Sequence, residues 1–312
     1  MRGVVMNLSV VMATYNGEKY IENQLESLRS QRRVPDEVII LDDNSTDDTL
    51  VIVKQFVKKY KLINWKVVSN ERNQGWRRNF MNGIWQSEGD LIFPCDQDDI
   101  WHADKLEVME KIMSNNSQIN VLVSNHKNFY DNGVKKIAPC KNTNHLSKIP
   151  LKNNCMAVEY PGCTYCIRKN LALLSKKYYR DGYAHDDLMW RLGLFSESLY
   201  VLKKDLIDYR QHDDSTYSLE SARMKTIAEK KKWIQMTQNF CVDLERFVEN
   251  ENLSSKIKMI RKLRKVQLWL RERAKLYEKK SLWQALKMIR FFSYYQRFRQ
   301  YFGDIYIIFI KK

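Results

Sequence analysis

The chain has 312 residues, of which 44% are hydrophobic and 29% are charged, so it can bury a large core and is not disordered as a whole. Its length predicts about two domains. No apolar run approaches the roughly 20 residues that a membrane-spanning helix needs. The first residues run into polar chain without a small-residue cleavage site, so we expect neither a transmembrane segment nor a signal peptide. The six cysteines are then expected to be reduced thiols.

The net charge of +16 is concentrated in the last third of the chain. Residues 218–312 contain 23 Lys and Arg against 9 Asp and Glu, whereas residues 1–217 contain 30 against 28. Glycine and proline also nearly vanish after residue 218. This pattern predicts a nearly neutral globular domain over residues 1–217 and a basic helical extension over residues 218–312.

Short apolar runs alternate with segments of helical spacing over the first 125 residues. The predicted strands are 8–13, 37–41, 65–69, 90–95 and 120–124. The predicted helices between them are 18–32, 47–60, 75–86 and 103–113, and two more follow at 170–177 and 186–195. Two short apolar runs come next, at 199–202 and 206–209. The alternation predicts an α/β fold, with a mostly parallel sheet covered by helices on both faces.

Polar residues directly follow three of these predicted strands. Thr14, Tyr15 and Asn16 follow the first strand, Asp42 and its neighbour follow the second, and the run 96–99 follows the fourth. Ligands of such sheets bind outside the carboxyl ends of the strands. We therefore expect these three groups to line one site.

Asp96, Asp98 and Asp99 place three carboxylates within four positions at the end of a buried strand. Like charges at this spacing repel one another, so they need raised pKa values or a cation. Oxygen ligands favour a hard divalent ion, Mg²⁺ or Mn²⁺, which completes its shell with water and substrate phosphates. The alternative is that Asp98 or Asp99 caps the following helix.

Four blocks, taken in order, resemble glycosyltransferase family 2. They are VVMATYNG at 10–17, DDNSTD at 42–47, NQG at 73–75 with Arg-Asn at 78–79, and DQD at 96–98. The resemblance covers about residues 7–217 and implies the GT-A fold, a Rossmann-like mixed sheet, with a nucleotide-sugar donor. DQDDIW at 96–101 together with YRQH at 209–212 is similar to bacterial rhamnosyltransferases of cell-wall and capsule assembly.

The resemblance implies roles for individual residues. The implied donor-binding residues are Thr14, Tyr15, Asn16, Asp42, Arg78, Asn79, Asp96 and Asp98. Asp98 would coordinate Mn²⁺ or Mg²⁺ on the donor diphosphate, and His212 would be a further metal ligand or touch the diphosphate. Gly162, Cys163 and Thr164 would line the sugar pocket. Trp101 would either stack on the acceptor or pack in the protein, and both alternatives stay open.

The resemblance also implies a catalytic base at the start of the helix predicted over 186–195. Asp186 matches the base position and would take the proton of the acceptor hydroxyl on the face opposite the leaving nucleotide. Asp187 points about 100° away on a helix, so one of the two faces the sugar. Asp187 is therefore assigned to the acceptor pocket, with the role of base as its alternative. Both acids would also complement the dipole of the helix N-terminus.

The basic extension mixes cations with apolar and aromatic residues at helical spacing, over 256–271 and again over 283–302. Such segments favour the surface of an anionic membrane. Packing on the body of the protein and contact between copies in an oligomer are the alternatives. The extension has no recognisable nucleic-acid-binding motif, so nucleic acid is not expected as a partner.

Together these patterns and the family resemblance predict an inverting, metal-dependent glycosyltransferase of a bacterium. It would move a sugar, with rhamnose as the candidate, from a dTDP- or UDP-linked donor to a hydroxyl of a lipid-linked or growing cell-surface polysaccharide. Its expected place is the cytoplasm, on the inner face of the plasma membrane. A nucleotidyltransferase and a non-catalytic scaffold that binds sugar nucleotides or membrane are the alternatives.

Overall fold

The computed structural model describes residues 5–130, 141–212 and 226–311, which form two compact units. The first unit comprises Met1–Ile149, Glu159–Gly193 and Glu197–Gln211, and the second comprises Pro150–Val158, Leu194–Ser196 and His212–Lys312. The boundary predicted at 217/218 lies outside the described residues. The second unit also takes two short segments that the sequence placed in the first domain, because contacts in space rather than chain order define a compact unit.

The first unit alternates strands and helices as predicted. Its strands are β1 (Leu8–Thr14), β2 (Glu37–Asp42), β3 (Trp65–Ser69), β4 (Leu91–Cys95), β5 (Ile100–Trp101), β6 (Val121–Tyr130), β7 (Leu146–Lys148), β8 (Tyr165–Arg168) and β9 (Leu199–Gln211). Its helices are α1 (Ile21–Arg29), α2 (Thr49–Lys59), α3 (Trp76–Gln86), α4 (Lys105–Asn115), α5 (Lys169–Leu174) and α6 (His185–Phe195). A 3₁₀ turn over Gly162–Thr164 precedes β8.

The strands of the first unit form one mixed sheet in the order β3-β2-β1-β4-β8-β6-β9-β5, and β7 pairs with β9. β3, β2, β1 and β4 are parallel neighbours, whereas β8 runs antiparallel between β4 and β6. In the parallel part, Thr14 of β1 lies opposite Asp42 of β2, and Met12 lies opposite Cys95 of β4. The carboxyl ends of these three strands therefore reach the same edge of the sheet.

Two features of the sheet differ from the sequence-based expectation. β8, with four residues, and β5, with two, were not predicted, because strands this short show no periodicity. The runs 199–202 and 206–209 belong to one strand, β9, whose pairing with β6 shifts register around Asn125. A bulge of this kind lets a strand continue through polar residues that look like a break in the sequence.

The core of the first unit lies between one face of the sheet and the helices α1, α2 and α4. Alternate residues of β1 point to this face, and the spacing of α1 brings its apolar residues to meet them. The innermost side chains are Leu8, Val10, Met12, Ile21, Leu25, Leu28, Val38, Ile40, Leu106 and Met109. The five described cysteines are buried and free of disulfides, and Cys140 lies outside the described residues.

The second unit is helical, as predicted for the extension. It contains α7 (Ile227–Asn250), α8 (Lys256–Lys279), α9 (Leu282–Met288) and α10 (Phe298–Ile305). Arg273 of α8 and Asp304 of α10 form a fully buried ion pair, with Nε–Oδ2 and Nη2–Oδ1 distances of 2.7 and 2.9 Å. The hydroxyls of Tyr277 and Tyr295 donate to the same carboxylate, which satisfies the buried charge. None of the described helices is long and apolar enough to cross a bilayer.

Candidate active site

The loop after β1 is joined to the loops after both neighbouring strands. The hydroxyl of Thr14 donates to Asp42 Oδ1 over 3.0 Å. The main-chain N–H of Tyr15 donates to Gln97 Oε1 at 2.9 Å, and Gln97 Nε2 donates back to the carbonyl of Tyr15 at 3.0 Å. The three polar groups that the sequence placed at the strand ends thus lie together. Gln97 is a joining residue that sequence reasoning missed.

Asn16 and Gly17 complete this junction. Asn16 has a positive φ of 47°, its N–H donates to Ser45 Oγ, and its Oδ1 accepts the N–H of Thr46. A Cβ on Gly17 would lie 2.3 Å from Gln97 Oε1, so a larger residue would displace the amide that holds Tyr15. Asn16, expected at the donor, therefore links the loops after β1 and β2.

The two acids at the end of β2, Asp42 and Asp43, are buried and bind protein donors. Asp42 Oδ2 accepts the N–H of Ser45 at 3.0 Å, and its Oδ1 accepts the Ser45 hydroxyl at 2.5 Å. Asp43 accepts the main-chain N–H groups of Gln74 and Gly75, both at 2.8 Å. The arrangement orders the loops after β2 and β3. A ligand that contacts Asp42 would do so while Asp42 keeps its hydrogen bonds to Ser45.

Arg78 and Asn79, predicted together at the donor, face different surroundings. Arg78 lines an open cleft of about 650 Å³ formed by residues 72–78 with Tyr179, Asp181 and Gly182, and its Nη1 lies 3.0 Å from Asp181 Oδ1. Asn79 is buried, and its Nδ2 donates to the carbonyl of Leu41 at 2.7 Å. Arg78 is thus open to a ligand, whereas Asn79 holds α3 against β2.

The acids after β4 form a tight cluster with a thiol. One carboxylate oxygen each of Asp96 and Asp99 and the Sγ of Cys163 all lie within 4.8 Å of one another. Burial, aided by the charge of Asp98, raises the pKa of Asp96 to about 7. Burial also raises the pKa of Asp99 well above its usual value, although Asp99 Oδ1 accepts the main-chain N–H of Arg210 at 3.0 Å. Burial and mutual repulsion therefore disfavour the ionised forms of these carboxylates, as expected from their spacing in the sequence.

This acidic group could hold a divalent ion. Asp99 Oδ2 is buried without a hydrogen-bond partner among the described residues, which leaves one lone-pair site open. Burial raises the pKa of Cys163 well above its usual value, and a neutral thiol does not suit a hard ion. The group therefore offers two carboxylates, in keeping with Mg²⁺ sites that take one or two acids and fill the shell with phosphate and water. Asp98, predicted as the ligand, is half-buried beside this group rather than a member of it.

A fully buried lysine lies beside the acidic cluster. Lys105 Nζ donates to the carbonyl of Cys163 at 2.6 Å and lies 3.3 Å from the ring centroid of Trp101. Burial lowers the pKa of Lys105 to about 8. Trp101 is only 3% exposed, so of its two sequence-based alternatives this arrangement favours packing. Sequence reasoning missed Lys105, because a lysine at the start of a helix is ordinarily solvated.

The acids at the start of α6 differ in their partners. Asp187 pairs with Arg191, with 2.8 Å between Oδ1 and Nη1. Asp186 Oδ1 accepts the main-chain N–H of Asp187 at 2.8 Å. Burial raises the pKa of Asp186, and the charge of Asp186 in turn raises that of Asp96. The N-terminus of α6 thus acts electrostatically on the acidic cluster.

His185 and the turn over Gly162–Thr164 pack against each other. His185 is 3% exposed, and its ring lies 4.2 Å from that of Phe80, centroid to centroid. Neither of its nitrogens finds a hydrogen-bond partner in the part of the chain that the structure describes, and burial lowers its pKa to about 3. Gly162, Cys163 and Thr164, predicted to line the sugar pocket, are all buried, and Cys163 belongs to the acidic cluster.

The end of β9 supports the loop after β4. The Arg210 guanidinium lies 4.5 Å from the ring centroid of Tyr20 and 4.4 Å from that of Phe129, and Arg210 Nε donates to the carbonyl of Asp98 at 2.7 Å. Arg210 therefore positions the acidic loop. His212, predicted near the metal, is half-buried immediately after β9. Residues 213–225 lie outside the described part of the chain.

Sequence comparison relates the chain to known glycosyltransferases. A model of the family described as Glycosyl transferase family 2 matches residues 9–179. The dTDP-rhamnosyl transferase RfbG of Shigella flexneri is 33% identical over 221 residues, which are 65% of this chain and 72% of that protein. A GalNAc(5)-diNAcBac-PP-undecaprenol beta-1,3-glucosyltransferase of Campylobacter jejuni is 26% identical over 219 residues, which are 69% of this chain and 68% of that protein.

Solved structures share the fold. TarS 1-349 of S. aureus in complex with UDP-GlcNAc has a TM-score of 0.63 at 23% identity, covering 82% of this chain and 70% of that one. The mannosyltransferase PcManGT from Pyrobaculum calidifontis, in complex with GDP-Man and Mn²⁺, has a TM-score of 0.53 at 13% identity. The match covers 98% of this chain and 88% of that one. With a family match over more than half of its length and this sheet topology, the chain belongs to glycosyltransferase family 2 and has the GT-A fold.

Proposed function

We propose that this glycosyltransferase moves a sugar from a nucleotide-diphosphate donor to a hydroxyl of a lipid-linked or growing cell-surface polysaccharide, with inversion at the anomeric carbon. The observation that carries the proposal is the position of Asp186 beside Gly162, where a Cβ on the glycine would lie 3.3 Å from the Cβ of Asp186, while the next residue, Cys163, belongs to the acidic cluster. An acceptor between these two groups would meet a base on one side and the departing diphosphate on the other.

Asp186 is the proposed base, and its partners explain the choice over Asp187. Arg191 holds the Asp187 carboxylate and opposes the rise in pKa that burial causes there. The Asp186 carboxylate accepts the main-chain N–H of Asp187 through Oδ1 and forms no ion pair among the described residues, so its Oδ2 can accept a hydroxyl proton. A raised pKa makes its carboxylate a stronger base, which helps as positive charge develops on the sugar ring.

A divalent ion is the proposed cofactor, Mn²⁺ or Mg²⁺. When bound, such an ion stabilises the charge that develops on the leaving diphosphate, as a Lewis acid. We assign its binding to the acidic cluster, whose carboxylates are Asp96 and Asp99, with the half-buried Asp98 beside them as the ligand that the family resemblance implies. Lys105 and Arg210 hold the Cys163 turn and the Asp98 loop around these acids. His212 stays the proposed further ligand.

The proposed donor is a dTDP-linked sugar, with rhamnose as the candidate. This choice of donor rests on the 33% identity to RfbG, which is named as a dTDP-rhamnosyl transferase. The loops after β1 and β2, with Thr14, Tyr15, Asn16 and Asp42, are assigned to the nucleotide. The Campylobacter relative is named for an acceptor on PP-undecaprenol, which supports a lipid-linked acceptor and a place on the inner face of the plasma membrane. The basic extension is the proposed membrane contact.

Nucleotide release tests the proposal directly. Purified full-length protein with Mn²⁺ is offered dTDP-rhamnose, UDP-GlcNAc and GDP-mannose in turn, with EDTA as the metal control. Release of dTDP that EDTA abolishes supports the proposal, and the anomeric configuration of the product, read by NMR, tests inversion. Release of pyrophosphate would indicate a nucleotidyltransferase. No release from any donor, with or without a saccharide acceptor, would indicate a binding scaffold.

A further inference from the structure

The short helix α9 exposes most of its large apolar side chains and buries a polar one. Its large apolar side chains point outward: Leu282, Trp283, Leu286 and the following Ile289 are 69%, 67%, 57% and 46% exposed. The residues that point inward are Gln284, Ala285 and Met288. A surface helix ordinarily turns its larger apolar residues toward the core. An exposed apolar stripe of this kind marks an interaction surface.

The inward face of α9 is firmly held, so the outward face is fixed in place. Gln284 Nε2 donates to the carbonyl of Glu272 at 3.1 Å and to its Oε2 at 2.9 Å. The hydroxyl of Tyr301 donates to the carbonyl of Ala285 at 3.1 Å. α9 is thereby hydrogen-bonded to α8 on one side and to α10 on the other. Rotation of the helix to bury its apolar stripe would break these bonds.

The charges on and around this face have one sign. Lys287 and Arg290 are exposed and fall within the same outward arc as the apolar residues, at 100° per residue. Arg297, Arg299 and Lys311 are exposed farther along the segment. Asp304, the one acid of residues 282–311, is buried against Arg273. Every exposed charge that the structure describes in this segment is therefore positive.

We propose that the α9 face, defined as Leu282, Trp283, Leu286, Lys287, Ile289 and Arg290, enters the headgroup region of an anionic lipid bilayer. Apolar side chains with a tryptophan and cations on one surface match the boundary between headgroups and acyl chains. The cations add attraction to anionic lipid. The inference deepens the membrane location in the proposed function by naming the surface that makes the contact.

Charge argues against a second copy of the chain as the occupant. A two-fold interface brings the same surface patch of both copies together. Lys287 and Arg290 would then face their own equivalents, and no exposed acid of the described part of 282–311 could pair with them. Like charges across an interface are costly. Anionic lipid supplies the missing negative charge.

The test is vesicle flotation of the full-length protein with phosphatidylcholine alone and with added phosphatidylglycerol. The proposal expects binding that needs the anionic lipid. The variant Trp283→Ser with Leu286→Ser should reduce partitioning at least about tenfold, because two exposed apolar side chains no longer enter the lipid. Lys287→Glu with Arg290→Glu should reduce it about tenfold by removing the attraction. The matched control is Ile63→Ser, since Ile63 is 98% exposed in the first unit and should leave binding unchanged.

Equal vesicle binding by wild type and the Trp283/Leu286 variant would overturn the proposal. So would a wild-type dimer, seen by light scattering without lipid, that the same variant converts to monomer, because the α9 face would then join two copies. Donor hydrolysis in solution, with the site in the first unit, should be the same in wild type and variant. If no donor is hydrolysed but vesicle binding still depends on the α9 face, the proposed function is wrong and the proposal that the α9 face binds lipid is supported.

Discussion

Gly162→Ala should disturb both the fold and the proposed catalytic base, Asp186. A Cβ at position 162 would lie 2.2 Å from His185 Nε2, 2.8 Å from its Cε1 and 3.3 Å from the Cβ of Asp186. The imidazole has little room to move, because Phe80 packs against it with 4.2 Å between ring centroids. The added methyl group therefore has to move His185 and, with it, the first turn of α6.

The size of the effect follows from the overlap. Carbon and nitrogen atoms in contact are ordinarily about 3.5 Å apart, so the clash exceeds about 1 Å. Overpacking of this kind costs about 1–3 kcal/mol of unfolding free energy. Each 1 kcal/mol lowers the unfolding midpoint by about 2–4 °C for a unit of this size. Moving Asp186 by about 1 Å should slow sugar transfer by about 10²-fold.

The assay is a double-mutant cycle with His185→Ala, read by urea unfolding and by nucleotide release. His185→Ala removes the side chain that Gly162→Ala meets, so the double variant should lose less stability than the two single losses combined. The expected coupling is about 1 kcal/mol or more. Gly303→Ala is the control, since its Cβ would meet nothing within 4 Å and helix propensity favours alanine there. Strictly additive losses, or a Gly162→Ala protein as stable and active as wild type, would refute the reasoning.

Four further predictions concern the same site. Asp186→Asn should lower kcat by about 10²–10⁴-fold with donor affinity kept, and Asp187→Asn by much less, in single-turnover assays. Because burial raises the pKa of Asp186, the wild-type rate should fall as the pH drops through that raised pKa. Lys105→Met should lower the unfolding free energy by about 1.5–3 kcal/mol in urea, because the carbonyl of Cys163 loses its charged donor. In the metal-free protein, the raised pKa of Asp96, about 7, contributes stability at low pH that is lost as the pH rises through 7. Mn²⁺ should therefore raise the unfolding midpoint more at pH 8 than at pH 5, and an equal shift at both would contradict this.

Much of the first unit could be predicted from the sequence, because its signals are local. The apolar runs and helical spacings of residues 8–113 correspond to β1 through β4 and α1 through α4, with ends that differ by at most three residues. Parallel pairing then brings Thr14, Asp42 and the acids after Cys95 to one edge, as the rule for carboxyl ends predicts.

The partners of these residues could not be predicted in the same way. Gln97 reaches Tyr15 across 82 positions, and Lys105 reaches Cys163 across 58, because the order of strands in the sheet brings them together. Asp99 meets Cys163 for the same reason, since β8 is inserted next to β4. No local pattern reports such a neighbour.

The sequence by itself determined the alternation of strands and helices, the acidic loop at a strand end and the basic helical character of the extension. Each of these depends on the periodicity or composition of a short stretch. Tertiary structure alone decided that Asp187 pairs with Arg191 while Asp186 accepts a main-chain N–H, that Asn79 is turned inward and that the apolar side chains of α9 are exposed. A side chain's exposure depends on which distant elements pack against it, and that is set by the whole fold.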